Sequence, residues 1–528
     1  MSSKAVPVCG GAQGVVAGFS LSAADVCGAT DHCLQYMNDA LKQNGGTQIP
    51  SFVTNIPNGS ETGVFLAVDL GGTNCRISAF ELHGNATYSM KQAKHAVPRE
   101  VMVNQRHEPL FDFIAGNIAS FLAENPEMAA NNISKLGTLT AASFRKLGFS
   151  FSFTYESHSV SHGTMLQWDK GWDIPDAIGR DPCRMLQDAI DRQRLHVRVA
   201  ALANDSVGTL MAKAYTSSEA CTPLIGAIFG TGTNAAYVED RARIEKLPPL
   251  KELYRGEDSV MIINTEWGAW FDGTPSALPA CIYDQILDRA SPTSGEQLFE
   301  KRTSGLYLGE LARLAIVDLL ASNVLQMTLK PGSPLERPYH VSASFLSLLA
   351  TSFGEPRSTN WPTIKTEISK FLSVDNISTK DAQILMQLGA AIVKRAAQLA
   401  GATIAAVIIH SERLASVLQR PKPSYSSKWR EWCDWVALRT GACLGRQSYG
   451  DDNSPALDSD SRLDAAAGYI EIGIDGSLFE YYPAFEEEVR RALRIVPRIG
   501  AEGEARVKIG LAKDGSSLGA ALIAQSVP

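Results

Sequence analysis

Residues 63–82 read GVFLAVDLGGTNCRISAFEL, and the way this stretch is read decides the fold. Phe65 to Val68 is an apolar run, Gly71-Gly72 breaks it, and Ile77 to Leu82 resumes it, which predicts a strand, a tight turn and a returning strand. The pattern recurs at 223–239, PLIGAIFGTGTNAAYVE: Leu224 to Phe229 forms the strand, Gly230-Thr231-Gly232-Thr233 the turn, and Asn234 to Val238 the return. Either unit alone reads as an ordinary hairpin. Two with the same glycine, threonine and asparagine tips imply a duplicated core. Such tips can aim several backbone N–H groups at one anion, because glycine admits the backbone conformations that bring them together.

Working outward, KIGLAKDGSSLGAAL predicts a strand Val507 to Leu511, a turn Asp514 to Ser517 with serine as N-cap, and a helix from Leu518. Helices are expected near Ala24 to Lys42, Gly305 to Leu320 and Thr379 to His410. Strands and helices mixed in this way make an α/β protein. In VRVAALANDSVGTLMAKAY a strand, Val197 to Ala203, delivers Asn204 and Asp205 just as a helix begins near Ser206. A carboxylate there is held ionised by the helix dipole, as a general base must be. An N-cap role would explain Asp205 equally well, and the local sequence leaves both readings open.

Composition sets limits. With 528 residues, 45% of them hydrophobic and 20% charged, the chain can fill two or three domain cores. A net charge of −7 and no dense Lys/Arg block argue against a nucleic-acid surface. The apolar run Leu399 to Ile409 falls short of the roughly 20 residues a bilayer needs, so no membrane span is expected. Nine cysteines without a C-x-x-C pair, and an amino terminus without a secretory pattern, point to a cytoplasmic protein. Residues 413–467 differ in texture, rich in Pro, Ser and Asp, and read as an inserted loop segment. Its Trp429, Trp432 and Trp435 could share a helical face, as a surface flap or a protein-partner patch.

The motifs FLAVDLGGTNCR, LGFSFSF, WDKGWDIP, LANDSVGTL, IFGTGTNAAY, NTEWGAWFDG, QLFEKRTSGLYLGEL, EIGIDGSLFEYYPAF and KDGSSLGAAL occur in that order. Together they resemble the hexokinase family, and most closely its fungal glucokinase branch, over roughly residues 25–412 and 468–527. The resemblance implies a two-domain, actin-like ATPase (ribonuclease-H-like) sugar kinase fold with an interdomain cleft. The small domain would be 58–205, completed by the C-terminal helix 516–528; the large would be 1–57 and 206–515. It implies that Asp205 takes the proton from a sugar 6-hydroxyl and that Lys170 stabilises charge on the transferring phosphate. Ser152, Asp169, Asn204, Asn234, Glu266, Gln297 and Glu300 would line the sugar. Gly71, Gly72, Thr73, Asn74 and Arg76 would face the β- and γ-phosphates of ATP, and Asp69 would hold Mg2+ through water. Gly230, Thr231, Gly232 and Thr233 would form a second phosphate turn, with Asp475, Gly476 and Ser477 beside the adenosine. The partners implied are a small sugar and MgATP. No G-x-x-x-x-G-K-[ST] motif competes for the phosphates.

Four positions depart from that family's pattern. Asp169 stands where threonine is usual, and at about 5 Å with an effective dielectric near 20 it would repel one phosphate charge by roughly 3 kcal/mol, about a hundredfold in rate. Thr154 and an extra residue, Trp270, would alter the wall of the sugar pocket, and Ser517 replaces a glycine near the nucleotide. Thr154 and Trp270 motivate an alternative substrate, N-acetylglucosamine. Asp169 motivates another alternative, a sugar-sensing protein with weak or no catalysis.

Overall fold

Each strand–turn–strand unit opens a sheet of the same design. The computed structural model describes residues 11–129, 144–168, 171–217, 221–247, 260–351, 360–419 and 468–527. Its five-stranded sheet runs Tyr88–Ala96, Asn74–His83, Thr62–Leu70, Arg145–Phe151, Val197–Ala203. The six-stranded sheet has Ile49–Pro50 at its edge, then Val260–Asn264, Thr233–Asp240, Cys221–Phe229, Tyr469–Asp475 and Val507–Leu511. In both, three successive strands pair antiparallel, a fourth joins the first in parallel, and a fifth joins the fourth in parallel. Parallel neighbours need crossover connections, and the helices Glu108–Glu124 and Pro182–Arg192 serve the smaller sheet, burying Ile114, Ile118, Leu186 and Ile190 with Phe149.

After its fifth strand each sheet sends a helix across to the other. Asp205–Tyr215 leaves the five-stranded sheet and packs on the six-stranded one; Gly515–Ser526 leaves the six-stranded sheet and packs on the five-stranded one. The two helices also lie against each other so closely that a Cβ on Gly519 would sit 2.0 Å from the Gly208 carbonyl oxygen. Glycine is needed here for close approach, and the approach brings both helix N-termini to the gap between the two turns.

The larger core gathers around Thr379–His410, started by a capping box in which Ser378 and Asp381 satisfy each other's backbone donors. This helix is long and apolar enough to cross a membrane, but 94% of its apolar window is buried inside the protein, which makes it a core helix.

The structure redraws several local expectations. The C-terminal helix begins at Gly515, so Ser516 and Ser517 lie in its first turn and Asp514, in a left-handed conformation, precedes it. Trp270 lies fully buried in the large core against Tyr36 and Trp267, its indole donating to the Thr265 carbonyl, and takes no place in a pocket wall. Arg413–Leu418 is a short helix where a loop was expected. The tryptophan-rich remainder, 420–467, lies outside the described residues.

Candidate active site

Asn204 ends the strand Val197–Ala203 in extended conformation and caps the following helix: its side-chain oxygen accepts from the Ser206 N–H at 2.9 Å. Asp205 is therefore the first helical residue, and the cap role belongs to its neighbour. One Asp205 oxygen shares the Ser206 N–H at 2.8 Å, and the other accepts from the Ser152 hydroxyl at 3.4 Å. These two donors orient both carboxylate oxygens at the start of the helix.

Asn234 opens the strand that returns from the second turn. Its amide nitrogen is within reach of three acceptors: Asn264 at 2.9 Å, Glu266 at 3.1 Å and Asn204 at 3.3 Å. Asn264 donates in turn to the same Glu266 oxygen at 2.8 Å. Burial pushes the Glu266 carboxyl up to about 7; the charges of Asp205 and Glu300 add to this, and the amides of Asn264 and Asn234 oppose it. Glu266 and Gln297 both adopt left-handed backbone conformations, φ 46° and 55°, which non-glycine residues hold only when their surroundings enforce it. For Gln297 the enforcement is visible: the Asp272 carboxylate accepts the N–H groups of Gln297 and Leu298 at 2.8 and 2.9 Å. Glu300, three residues on, accepts the Thr233 N–H at 2.9 Å.

The two turns face this group from either sheet. In the first, Gly71 N–H bonds back to the Asn74 carbonyl, the Thr73 carbonyl accepts from Val97, and the Gly72 carbonyl accepts the Trp172 indole N–H at 2.7 Å. The N–H groups of Gly72 and Thr73 have no acceptor among the described residues. In the second, the carbonyls of Gly230 and Thr231 accept from Gly305 and Leu306 at the start of the helix Gly305–Ala321, leaving the Thr231 and Gly232 N–H groups likewise without an acceptor among the described residues. Glycine at 71, 72, 230 and 232 does not take left-handed φ, so the donors are exposed because the carbonyls are tied back, and not through the conformational freedom expected. Thr233 turns both donors inward, its N–H to Glu300 and its hydroxyl to the Ile228 carbonyl.

Asp69, 4% exposed, accepts Arg76 at 2.7 Å and the Ser516 hydroxyl at 3.2 Å on one oxygen. Asp475 ends its strand opposite Ile228. Burial, with the nearby carboxylates of Asp514, Asp205 and Asp69, pushes Asp475 up to about 6. Gly476 follows at φ 113°, pressed so closely on the second turn that a Cβ would lie 2.4 Å from Phe229. Exposed Ser477 starts the next short helix.

Thus Ser152, Asn204, Asp205, Asn234, Glu266 and Glu300 meet in one place, with Gln297 held nearby and Asp69, Asp475 and the turn residues around it. Asp169 and Lys170 lie outside the described residues, although their neighbours Trp168 and Trp172 stack with centroids 5.4 Å apart. Thr154 is exposed at the start of the strand Thr154–Ser159, which pairs with His162–Gln167. Reading the sequence missed Asn264, Asp272, Ser516 and Trp172. Only Asn264 carried a usable signal, a polar residue closing the apolar strand Val260–Ile263 as Asn204 closes its own.

Residues 12–215 and 224–526 match the two sequence profiles described as hexokinase. The chain is 38% identical to the glucokinase of Aspergillus niger, over 96% of this chain and 94% of that one. It is 35% identical to glucokinase-1 of Saccharomyces cerevisiae, over 91% and 87%. Among solved structures, the hexokinase of Schistosoma mansoni complexed with glucose is similar at 28% identity, covering 98% of both chains with a TM-score of 0.73.

Proposed function

The chain belongs to the hexokinase family and is a phosphotransferase of the hexokinase type, with that family's two-sheet actin-like fold; on that premise we propose that it transfers the γ-phosphoryl group of ATP to the 6-hydroxyl of glucose or a related hexose. The observation that carries this reading is Asp205, at a helix N-terminus between the Asn204–Asn234–Asn264–Glu266 network and two turns with outward N–H groups. Amides and carboxylates in one network suit a sugar, because each hydroxyl both donates and accepts.

In the reaction, Asp205 accepts the 6-hydroxyl proton as that oxygen bonds to the γ-phosphorus. The bond from phosphorus to the β,γ-bridging oxygen then breaks, and ADP leaves with the electron pair. Positioning and electrostatics carry such a transfer. The Gly72, Thr73, Thr231 and Gly232 N–H groups and Arg76 receive phosphate oxygens, and Lys170, by its place in the W-x-K-G motif, adds positive charge. Mg2+ suits the buried Asp69 carboxylate and would neutralise phosphate charge when bound. Gly476 and Ser477 flank the second turn where the adenosine would lie.

We also propose the division 58–205 with 516–528 against 1–57 with 206–515, supported by the packing of the C-terminal helix on the five-stranded sheet. A cytoplasmic setting is part of the reading, supported by cysteines that form no disulfide with one another among the described residues.

A coupled assay of ADP release with MgATP against glucose, fructose, mannose, glucosamine and N-acetylglucosamine tests this. Turnover is expected on glucose above N-acetylglucosamine. The reverse preference would move the substrate assignment to the amino sugar, and absence of turnover on every sugar would sink the kinase reading in favour of a sugar sensor.

A further inference from the structure

We propose that Trp172 is a positioning residue for the nucleotide: its indole N–H holds the Gly72 carbonyl back so that the Thr73 N–H points toward the phosphates. This rests on the reading that the turn 71–74 faces ATP. Within one planar trans peptide unit the C=O and N–H point in opposite directions. Fixing the Gly72 oxygen therefore aims the Thr73 N–H. A peptide following a glycine can rotate at low cost, and rotated by half a turn it would present a carbonyl oxygen to an anion in place of a donor.

The indole is built to resist this. Trp172 is 5% exposed, and its nitrogen lies 2.7 Å from the Gly72 oxygen. Its ring stacks on Trp168 at an interplanar angle of 12° and meets Phe153 edge-on at 5.0 Å. Trp168 is fixed in turn by an indole bond to the Ile174 carbonyl, and the Asp173 backbone is tied to Met102 and Asn104. The second turn needs no such side chain, because the backbone N–H groups of Gly305 and Leu306 restrain its carbonyls. Trp172 thus does with one side chain what a helix N-terminus does opposite. It also links the first phosphate turn to the segment that bears Lys170.

The test is Trp172→Phe in the full-length protein, which keeps the stacked ring and removes only the donor, with Trp168→Phe as the comparison. We expect the KM for MgATP, and the Kd for MgADP by calorimetry, to rise about tenfold in Trp172→Phe, while the hexose KM stays within twofold. Trp168→Phe, which loosens this support but keeps the Trp172 donor, should raise the nucleotide constants no more than about threefold and leave the hexose KM within twofold. Unchanged nucleotide constants in Trp172→Phe, a hexose KM that rises in step, or an equal effect in Trp168→Phe would each overturn the inference. Should Trp172→Phe fail to fold, Trp172→Leu, which also lacks a side-chain donor, carries the same expectations. If the wild type binds MgADP but phosphorylates no hexose, the kinase reading fails, and the MgADP constants alone still decide the role of Trp172.

Discussion

In the turn 71–74 the chain restrains its carbonyls with a strand neighbour, Val97, and a side chain, Trp172; in the turn 230–233 it uses the first residues of the helix Gly305–Ala321. The difference extends beyond bonding. The first turn is followed by Arg76, paired with Asp69, and none of its hydrogen bonds among the described residues reaches Asn204, Asn234 or Glu266. The second leads directly into Asn234, and its Thr233 N–H is bound by Glu300, so in the proposed function the same few residues would reach from phosphate to sugar. On the proposed reading, one sheet supplies a nucleotide device. The other supplies a device shared between both substrates, which makes the two halves separable by kinetics.

The largest effect should come from the residue between the halves. Asp205→Ala is expected to lower kcat by roughly 10² to 10⁴ while the hexose Kd, measured by calorimetry, stays within a few-fold. Loss of hexose binding in step with kcat would place Asp205 within the sugar network and erase the boundary drawn here.

Next come paired substitutions across the turns. Glu300→Ala removes a charged acceptor beside the sugar and frees the Thr233 N–H, so both the hexose KM, by about a hundredfold, and the MgATP KM should rise. Arg76→Gln should raise the MgATP KM by about tenfold and leave the hexose KM alone. If Arg76→Gln moved both constants, the comparison would break.

Acidity sharpens the same contrast. Burial holds Glu266 up to about 7, and a hexose hydroxyl donating to it favours the ionised form. Sugar binding therefore weakens as pH falls through 7, because the carboxyl must first lose a proton. The hexose KM should be about tenfold higher at pH 6 than at pH 8. Glu266→Gln should bind sugar less well and flatten that dependence. A wild-type hexose KM constant across this range would show that the carboxyl does not titrate there.

Much of the arrangement was legible in the sequence where local pattern decides it. Thr379–His410, Val197–Ala203 and Val507–Leu511 run between the residues expected, because apolar periodicity and a capping Ser or a terminal Asn mark their ends. The convergence of Asp205 with Asn234, Glu266 and Glu300 came from motif resemblance, since no spacing reveals that four distant segments meet. What stayed hidden depends on long-range contacts. Asp272 matters because it clamps a left-handed Gln297 twenty-five residues away, and Trp172 because its indole meets a carbonyl a hundred residues earlier. Trp270 looked like a change in the pocket because it is an extra residue in the motif that carries Glu266, yet the 3-10 turn Trp267–Ala269 swings it into the core.

The smallest expected effect tests how the two sheets meet at the Asp69 carboxylate. The Ser516 hydroxyl, in the first turn of the C-terminal helix, donates to the same Asp69 oxygen that Arg76 holds. The ion pair with Arg76 is shorter, 2.7 Å against 3.2 Å, and charge-assisted, so it carries most of the orientation of Asp69. Ser516→Ala removes one neutral donor from a carboxylate that keeps the stronger partner, at a cost of about 1 kcal/mol. The MgATP KM should therefore rise no more than about fivefold, with the hexose KM unchanged. A larger rise than that of Arg76→Gln would reverse the order of control: the C-terminal helix, arriving from the six-stranded sheet, would then set Asp69, and the first turn would cease to be a device of its own sheet.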